Sequence, residues 1–123
     1  MIDSGQVELR VNESLVGFPA STIAAYRDYG SEGREENLDA VVLGVLQFYL
    51  AKKPVKPLES LPGSTRLVED LGCDSLTMMD TVFMTETLFD VKIDDTELAQ
   101  LATLDDLKGH LRRLVKVGAA SGI

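Results

Sequence analysis

Apolar residues recur at helical spacing through most of the chain after residue 36, and this periodicity constrains the fold most. Residues 38–51 are apolar almost all round, which is typical of a helix buried on more than one side. Residues 75–89, 95–101 and 104–117 carry apolar positions with the same period, and Gly118 is expected to end the last helix. We therefore predict an all-α bundle of three longer helices and one short helix.

Residues 1–33 do not follow this pattern and are predicted to form an N-terminal extension. Val7, Leu9 and Val11 alternate with charged residues, which predicts a half-buried strand. Ser21 is a plausible N-cap for a short helix through Tyr29, and Gly30 follows as its stop. The division we expect is an extension at 1–33, a helical domain at 34–118 and a flexible tail at 119–123.

The apolar helix at 38–51 needs a cover, because an isolated bundle would leave part of its surface in water. We expect the extension to fold back over it. The candidate covering side chains are Val7, Leu9, Val11, Ile23 and Tyr26. Self-association through the same helix is the competing explanation, so we expect a monomer with weak dimerisation as the alternative.

Charge and composition narrow the classes of partner. The chain has 20 acidic and 12 basic side chains, and its net charge is −8. Residues 68–106 hold eleven of the acids and a single base. Nucleic acids and anionic membranes attract clustered Lys and Arg, so this balance predicts neither as a partner and favours proteins with basic surfaces.

Other features place the chain in a reducing compartment and argue against an enzyme. Cys73 is the single cysteine, and the first residues do not resemble a signal peptide, so we expect a cytoplasmic protein. His110 is the single histidine and lies among Lys and Arg residues, which favours a surface position. No nucleophile elbow, P-loop or dinucleotide fingerprint is present. An independent serine hydrolase is therefore nearly excluded.

One segment suggests a specific chemistry. Residues 70–76 place Ser75 in the first turn of a helix, after a bend at Gly72. From the pair Asp74 and Ser75 alone, an ordinary N-cap is the favoured interpretation. The alternative is a phosphate ester on the serine, since a helix N-terminus has free N–H groups and a partial positive charge. Gly72 would leave the hydroxyl accessible, and Asp74 offers a carboxylate beside it.

The sequence DLGCDSL at residues 70–76 resembles the phosphopantetheine-attachment motif of acyl carrier proteins. The likeness continues through Phe89 and Asp90, through residues 93–95 and into residues 101–104. It covers about residues 37–117 and implies the fold of that family.

The resemblance also implies a function. Ser75 would receive 4'-phosphopantetheine from coenzyme A, through a separate magnesium-dependent phosphopantetheinyl transferase, and the arm would hold acyl or ketoacyl groups as thioesters. Asp74 would assist recognition or metal placement, and Gly72 would keep the approach open. Leu76, Asp80 and Glu86 would contact partners, namely acyl-loading, synthase or acyltransferase enzymes with basic docking patches.

Departures from the family pattern suggest a specialised pathway, fatty-acid-like or polyketide-like. Four threonines give the second bundle helix few acids, and Thr85 stands where the family favours an apolar pocket-lining residue. Cys73 is interpreted as a space-filling residue. The methionines and phenylalanine at 78, 79, 83 and 84 are expected in the core. A carrier for aminoacyl or hydroxyacyl groups and an unmodified helical interaction module remain the alternatives.

Overall fold

The computed structural model describes the backbone of residues 4–121 and the side chains of this range except those of 4, 95 and 116–121. This part of the chain forms six α-helices: α1 (Ser4–Glu13), α2 (Ala20–Glu32), α3 (Glu35–Tyr49), α4 (Ser75–Phe89), α5 (Asp95–Leu98) and α6 (Leu104–Ser121). A 3-10 turn at Leu58–Ser60 interrupts the long loop. The predicted all-α class is confirmed. Among the helices described, none has the length and apolar composition needed to cross a bilayer.

Helix α3 is the centre of the bundle and packs against α2, α4 and α6. Glu35 and Glu36 lie in its first turn, where the positive end of the helix dipole stabilises their negative charges. The apolar residues on several of its faces are buried, including Val41, Val45 and Leu46. The helix begins three residues and ends two residues earlier than the sequence predicted.

The predicted strand is wrong, because residues 7–11 lie within α1. Val7 and Val11 are four positions apart and are both buried, whereas Leu9 is 54% exposed. Three alternating residues fit a strand, but the burial of positions 7 and 11 follows the helical period of 3.6. Leu9 is therefore not a covering residue.

The bounds predicted for the second helix also need correction. Helix α2 begins directly after Pro19 and continues past Gly30 to Glu32, where Gly33 adopts a left-handed conformation with φ 70°. Gly30 is instead a packing residue. A Cβ at that position would lie 2.6 Å from Val7 Cγ2, so α1 crosses α2 at this glycine.

Helices α1 and α2 form an antiparallel pair, here called the N-terminal hairpin, which packs on α3 and on the end of α4. A Cβ at Gly44 of α3 would lie 2.4 Å from Thr22 Oγ1, which shows how closely α2 approaches. Tyr26 is fully buried and its hydroxyl donates to the Leu88 carbonyl oxygen at 2.7 Å. Arg10 Nη1 donates to the same oxygen at 2.9 Å.

Helix α4 has the predicted bounds, but the face that it buries is not the predicted one. Its buried row consists of Thr77, Thr81 and Thr85, together with Leu88 and Phe89 at its end. Its exposed row consists of Leu76, Met79 and Phe83, which are 66%, 63% and 72% exposed. The expectation that Met79 and Phe83 belong to the core is wrong, while Met78 and Met84 are half-buried against it.

Two of the buried threonines satisfy their hydroxyl groups within the helix. Thr81 Oγ1 donates to the Thr77 carbonyl oxygen at 2.8 Å, and Thr85 Oγ1 donates to the Thr81 carbonyl oxygen at 2.7 Å. A buried hydroxyl without a partner would be costly, and this bond to the preceding turn avoids the cost. Because the three side chains are buried, they do not occupy surface positions where acids were expected.

The last two helices follow local capping rules. Helix α5 ends at Leu98, three residues earlier than predicted. Helix α6 begins with the predicted capping box, in which the Asp106 N–H donates to Thr103 Oγ1 and the Thr103 N–H donates to Asp106 Oδ2. It continues past Gly118, so residues 119–121 of the predicted tail are helical. Residues 122 and 123 of that tail lie outside the described residues.

The surface position expected for His110 is also wrong. Its side chain on α6 is buried, at 6% exposure, among residues that face α5. His110 Nε2 lies 3.1 Å from Glu97 Oε2 without the geometry of a hydrogen bond. Of its basic neighbours, Arg112 points elsewhere and pairs with Asp39 of α3.

Candidate functional site

A compact turn at residues 66–73 presents the amino end of α4. The Leu67 N–H donates to the Ala102 carbonyl oxygen at 2.8 Å, and the Cys73 N–H donates to the Leu67 carbonyl oxygen at 2.9 Å. The first bond fixes the turn to the segment just before α6, and the second closes the turn itself. The position of the first residue of α4 is therefore set by backbone hydrogen bonds across the bundle.

An ion pair closes the same turn on its outer side. The Arg66 N–H and guanidinium donate to the Asp70 carboxylate, at 2.8 Å for the backbone contact. The guanidinium and then the backbone bond lower the pKa of Asp70 below its ordinary value. Asp70 is thus occupied within the turn, and its contribution to the site is the shape of the loop.

Ser75 is the first residue of α4 and is exposed. Asp74 is the N-cap, and its Oδ1 accepts from the Thr77 N–H at 2.8 Å. This backbone bond and then the Thr77 hydroxyl lower the pKa of Asp74. The ordinary capping interpretation therefore holds for Asp74, while the serine beside it projects from the helix start.

Gly72 leaves the approach to the serine open. Its φ of 71° is a left-handed conformation, which favours glycine, and a Cβ built there would have no atom within 4 Å. The glycine is therefore needed for the bend rather than for close packing. The predicted open approach remains a proposal about function.

Cys73 is buried at 3% exposure and faces the core. Burial, and then the Asp74 charge, raise the pKa of its thiol to about 11. The thiolate is the reactive form, so we expect this cysteine to react slowly at neutral pH. The structure agrees with the space-filling interpretation.

The three predicted partner contacts occupy different environments. Leu76 and Asp80 are exposed on α4. Glu86 is half-buried, and its Oε2 accepts from the Ile93 N–H at 2.8 Å, so part of its carboxylate holds the loop after α4. The apolar period in the sequence did not predict the exposed row that Met79 and Phe83 form with Leu76. The four-residue spacing of the threonines was the available signal.

Comparison with known proteins agrees with the motif. A family model described as "Phosphopantetheine attachment site" matches residues 50–111, just over half of the chain. An acyl carrier protein from Thermotoga maritima is 38% identical over 48 residues, which is 39% of this chain and 59% of that protein. An acyl carrier protein from Campylobacter curvus is 34% identical over 58 residues, 47% of this chain and 75% of that protein.

A third relative carries a more specific name. The "Meromycolate extension acyl carrier protein" of Mycobacterium bovis is 30% identical over 76 residues, which is 62% of this chain and 65% of that protein. No solved structure gives a significant match.

The helical bundle and the matched segment define a phosphopantetheine-binding domain. The chain belongs to the acyl carrier protein family, whose members are non-catalytic carriers. The domain of this family binds 4'-phosphopantetheine covalently. The geometry around Ser75 fits such a group, because the hydroxyl is exposed and the neighbouring glycine leaves space.

Proposed function

We propose that Ser75 is the residue that carries 4'-phosphopantetheine, and that the chain holds acyl or ketoacyl groups as thioesters on that arm. The observation that carries this proposal is the exposed serine at the first position of α4, immediately after the Asp74 cap and the Gly72 bend. The group, once attached, would supply a thiol at the end of a mobile arm.

Attachment is a transfer from coenzyme A. The Ser75 oxygen forms a new bond to the phosphorus that carries pantetheine and gives its proton to a base of the transferase. The phosphorus–oxygen bond between the two phosphates of coenzyme A breaks, and adenosine 3',5'-bisphosphate leaves. Because no side chain among those that the structure describes acts as a base on Ser75, a separate phosphopantetheinyl transferase with magnesium supplies the catalysis. Asp74 would assist recognition or metal placement, since its lowered pKa keeps it charged at neutral pH.

We further propose a specialised pathway, fatty-acid-like or polyketide-like. Support comes from the resemblance to the meromycolate extension carriers, which extends over more of this chain than the match to the two other relatives. The N-terminal hairpin, in addition to the carrier bundle, also fits a specialised role. A cytoplasmic location follows from this function as an expectation.

The partners proposed are the transferase and acyl-loading, synthase or acyltransferase enzymes. Leu76, Asp80 and Glu86 are their proposed contacts, and the partners would present basic residues. We propose a monomer, because α2 covers the apolar surface of α3 that motivated self-association. We retain the division into an extension at 1–33 and a carrier domain at 34–118 as part of this proposal.

The test is the intact mass of the protein after incubation with coenzyme A, magnesium and a broad-specificity phosphopantetheinyl transferase. We expect wild type to gain one phosphopantetheine and Ser75→Ala to gain none. Ser64→Ala, an exposed serine in the preceding loop, is the matched control and should be modified normally. If wild type stays unmodified while a control carrier is modified, the unmodified interaction module is the better account.

A further inference from the structure

The turn at residues 66–73 is anchored by apolar packing near its two ends but not in its middle. Leu67 and Cys73 are buried, at 1% and 3% exposure. The residues between them are exposed, apart from the half-buried Leu71. A segment with few buried apolar contacts opens easily unless hydrogen bonds hold it. The shape of this turn therefore depends on its polar contacts.

The segment that leads into the turn is fixed to the start of α6. The Leu104 N–H donates to the Thr65 carbonyl oxygen at 3.0 Å. The next residue, Arg66, forms an isolated antiparallel β-bridge with Thr103. The backbone of Arg66 is thus held from outside the turn, and its side chain extends from a fixed point.

The Arg66 side chain reaches across the turn to Asp70. Its Nε lies 3.3 Å from Asp70 Oδ2, and its Nη2 lies 3.2 Å from Oδ1. The Arg66 N–H also donates to Oδ2 at 2.8 Å, and the Asp70 N–H donates back to the Arg66 carbonyl oxygen at 3.1 Å. Both carboxylate oxygens are therefore occupied by donors of one residue. These contacts are here called the Arg66–Asp70 clamp.

A second ion pair on the surface provides a comparison. Arg27 of α2 donates to the two carboxylate oxygens of Glu8 of α1 at 2.9 and 3.0 Å, and the exposed fractions of these side chains are 49% and 52%. Those of Arg66 and Asp70 are 58% and 41%. Exposed pairs of this kind add little to global stability. The hairpin pair joins two helices that pack on each other, whereas the clamp spans a turn with little other packing.

The turn leads directly to the serine. Only three residues lie between Asp70 and Asp74, and one of them is Gly72, which bends the chain with φ 71°. Asp74 then caps α4, of which Ser75 is the first residue. The conformation of the turn therefore sets the surroundings of the serine hydroxyl and the direction from which an enzyme can reach it.

We infer that Arg66 is a positioning residue for phosphopantetheine transfer to Ser75, acting through its clamp on Asp70. This inference rests on the proposed function. The clamp holds the turn in the conformation in which the Ser75 oxygen can meet the phosphorus of coenzyme A. Because the guanidinium occupies the carboxylate, Asp70 is not itself a contact of the transferase. A misplacement of reacting groups by about 1 Å slows a reaction strongly, so a loosened turn lowers kcat more than it raises KM.

The experiment measures kcat and KM of a broad-specificity phosphopantetheinyl transferase, with coenzyme A and magnesium, for the full-length chain and its variants. Arg66→Met keeps the length of the side chain and removes its donors, Asp70→Ala removes the acceptor, and a double variant removes both. Arg66→Lys restores one charged donor. Arg27→Met is the matched control, because it removes the exposed pair of the hairpin. Circular dichroism verifies that each variant keeps its helices.

We expect Arg66→Met to lower kcat about fivefold and Asp70→Ala about tenfold, with KM within about twofold of wild type. The double variant should be no slower than Asp70→Ala, because the two residues act as a unit. Arg66→Lys should recover part of the loss, and Arg27→Met should be modified like wild type.

Amide hydrogen exchange, followed by NMR, reports on the turn without the transferase. In Arg66→Met the N–H groups of Leu71 and Gly72 should exchange at least about fivefold faster than in wild type. The N–H of Val45, in the buried part of α3, should keep its wild-type rate. A faster exchange at Val45 as well would mean that Arg66 acts through global stability, which would overturn the inference.

A wild-type kcat in Arg66→Met also overturns the inference. So does a loss confined to Asp70→Ala, which would identify Asp70 as a contact of the transferase, and so does a rise in KM that exceeds the fall in kcat. In each of these cases phosphopantetheine still reaches Ser75 and the proposed function stands. If wild type is not modified at Ser75 at all, the proposed function fails and this inference falls with it.

Discussion

The Tyr26 hydroxyl donates to the Leu88 carbonyl oxygen at 2.7 Å, and this contact connects the N-terminal hairpin to the carboxyl end of α4. The last carbonyls of a helix have no partner within the helix and need one elsewhere. Arg10 donates to the same oxygen, and the Tyr26 ring packs edge-on against Phe89. The hairpin thus stabilises the helix that carries the candidate site.

Tyr26→Phe should lower the free energy of unfolding by about 1 kcal/mol, because one hydrogen bond to a buried acceptor is lost while the Arg10 bond remains. For a chain of this size, that loss lowers Tm by roughly 4 °C. Tyr29→Phe is the control, since Tyr29 is half-buried and also packs edge-on against Phe89. Equal Tm values for the two variants would argue against the proposed role of the hydroxyl.

The orientation of α4 can be tested with two charged substitutions. Thr81→Asp should lower the free energy of unfolding by about 3 kcal/mol or more, because it buries an unpaired carboxylate. Phe83→Asp should change it by less than about 1 kcal/mol, because that position is exposed. Urea denaturation measures both. If Phe83→Asp were the more destabilising variant, the row of Leu76, Met79 and Phe83 would face the core in place of the threonine row.

Thr81→Val provides a milder test of the same surface. The Thr81 hydroxyl donates to the Thr77 carbonyl oxygen, and both groups belong to one helix. Replacing the hydroxyl by a methyl removes a polar group from the core with little change in volume. We expect the free energy of unfolding to stay within about 1 kcal/mol of wild type, with no loss of helicity. A large loss would indicate that the hydroxyl has a further partner.

Cys73 should react slowly with thiol reagents in the native protein. Its pKa is raised to about 11, so at about pH 8 roughly one molecule in a thousand carries the thiolate, and the side chain is also buried. Alkylation by iodoacetamide should be at least tenfold slower than in urea-unfolded protein at the same pH. The folded protein favours the neutral thiol. The contribution of Cys73 to the free energy of unfolding is therefore fully present below the ordinary thiol pKa and is lost as pH rises toward 11. Equal alkylation rates would contradict the buried position.

Asp74 has two roles that substitutions can separate. Asp74→Asn keeps a good N-cap and removes the charge, whereas Asp74→Ala removes both. We expect the Asn variant to lose less Tm at neutral pH than the Ala variant, and we expect the transferase to modify both variants more slowly than wild type. Because the pKa of Asp74 is lowered on folding, the carboxylate stabilises wild type above its ordinary pKa, and this is lost as pH falls below it. Normal modification of the Asn variant would leave Asp74 as a cap alone.

The bounds of α4 were predictable because local residues set both ends. Asp74 caps the start, and Asp90 ends the helix in a left-handed conformation with φ 54°. The capping box of α6 was predictable for the same reason. These signals act within a few residues, so they can be recognised from the sequence alone.

The buried face of α4 could not be predicted from such local signals. Met78 and Val82 are apolar and lie between the two rows, so the period does not identify the buried face. Threonines are acceptable in the core only because their hydroxyls bond to the preceding turn. Tertiary packing, here the approach of α3, decides which face is buried.

The same limit explains the other corrections. Val7, Leu9 and Val11 span too few residues to distinguish a helix from a strand, and only the contact of Val7 with Gly30 reveals the helix. His110 has basic sequence neighbours, but its position opposite Glu97 of α5 depends on the fold. Long-range contacts determined both outcomes.

Fragmentation of the modified tryptic peptide, which locates the attached group, tests most directly whether Ser75 carries phosphopantetheine. Cleavage after Arg66 and Lys92 releases residues 67–92, in which Ser75 is the single serine and stands beside four threonines. We expect phosphopantetheine on Ser75 in every modified molecule. A group found on a threonine, or on a different peptide, would show that Ser75 is not the attachment site.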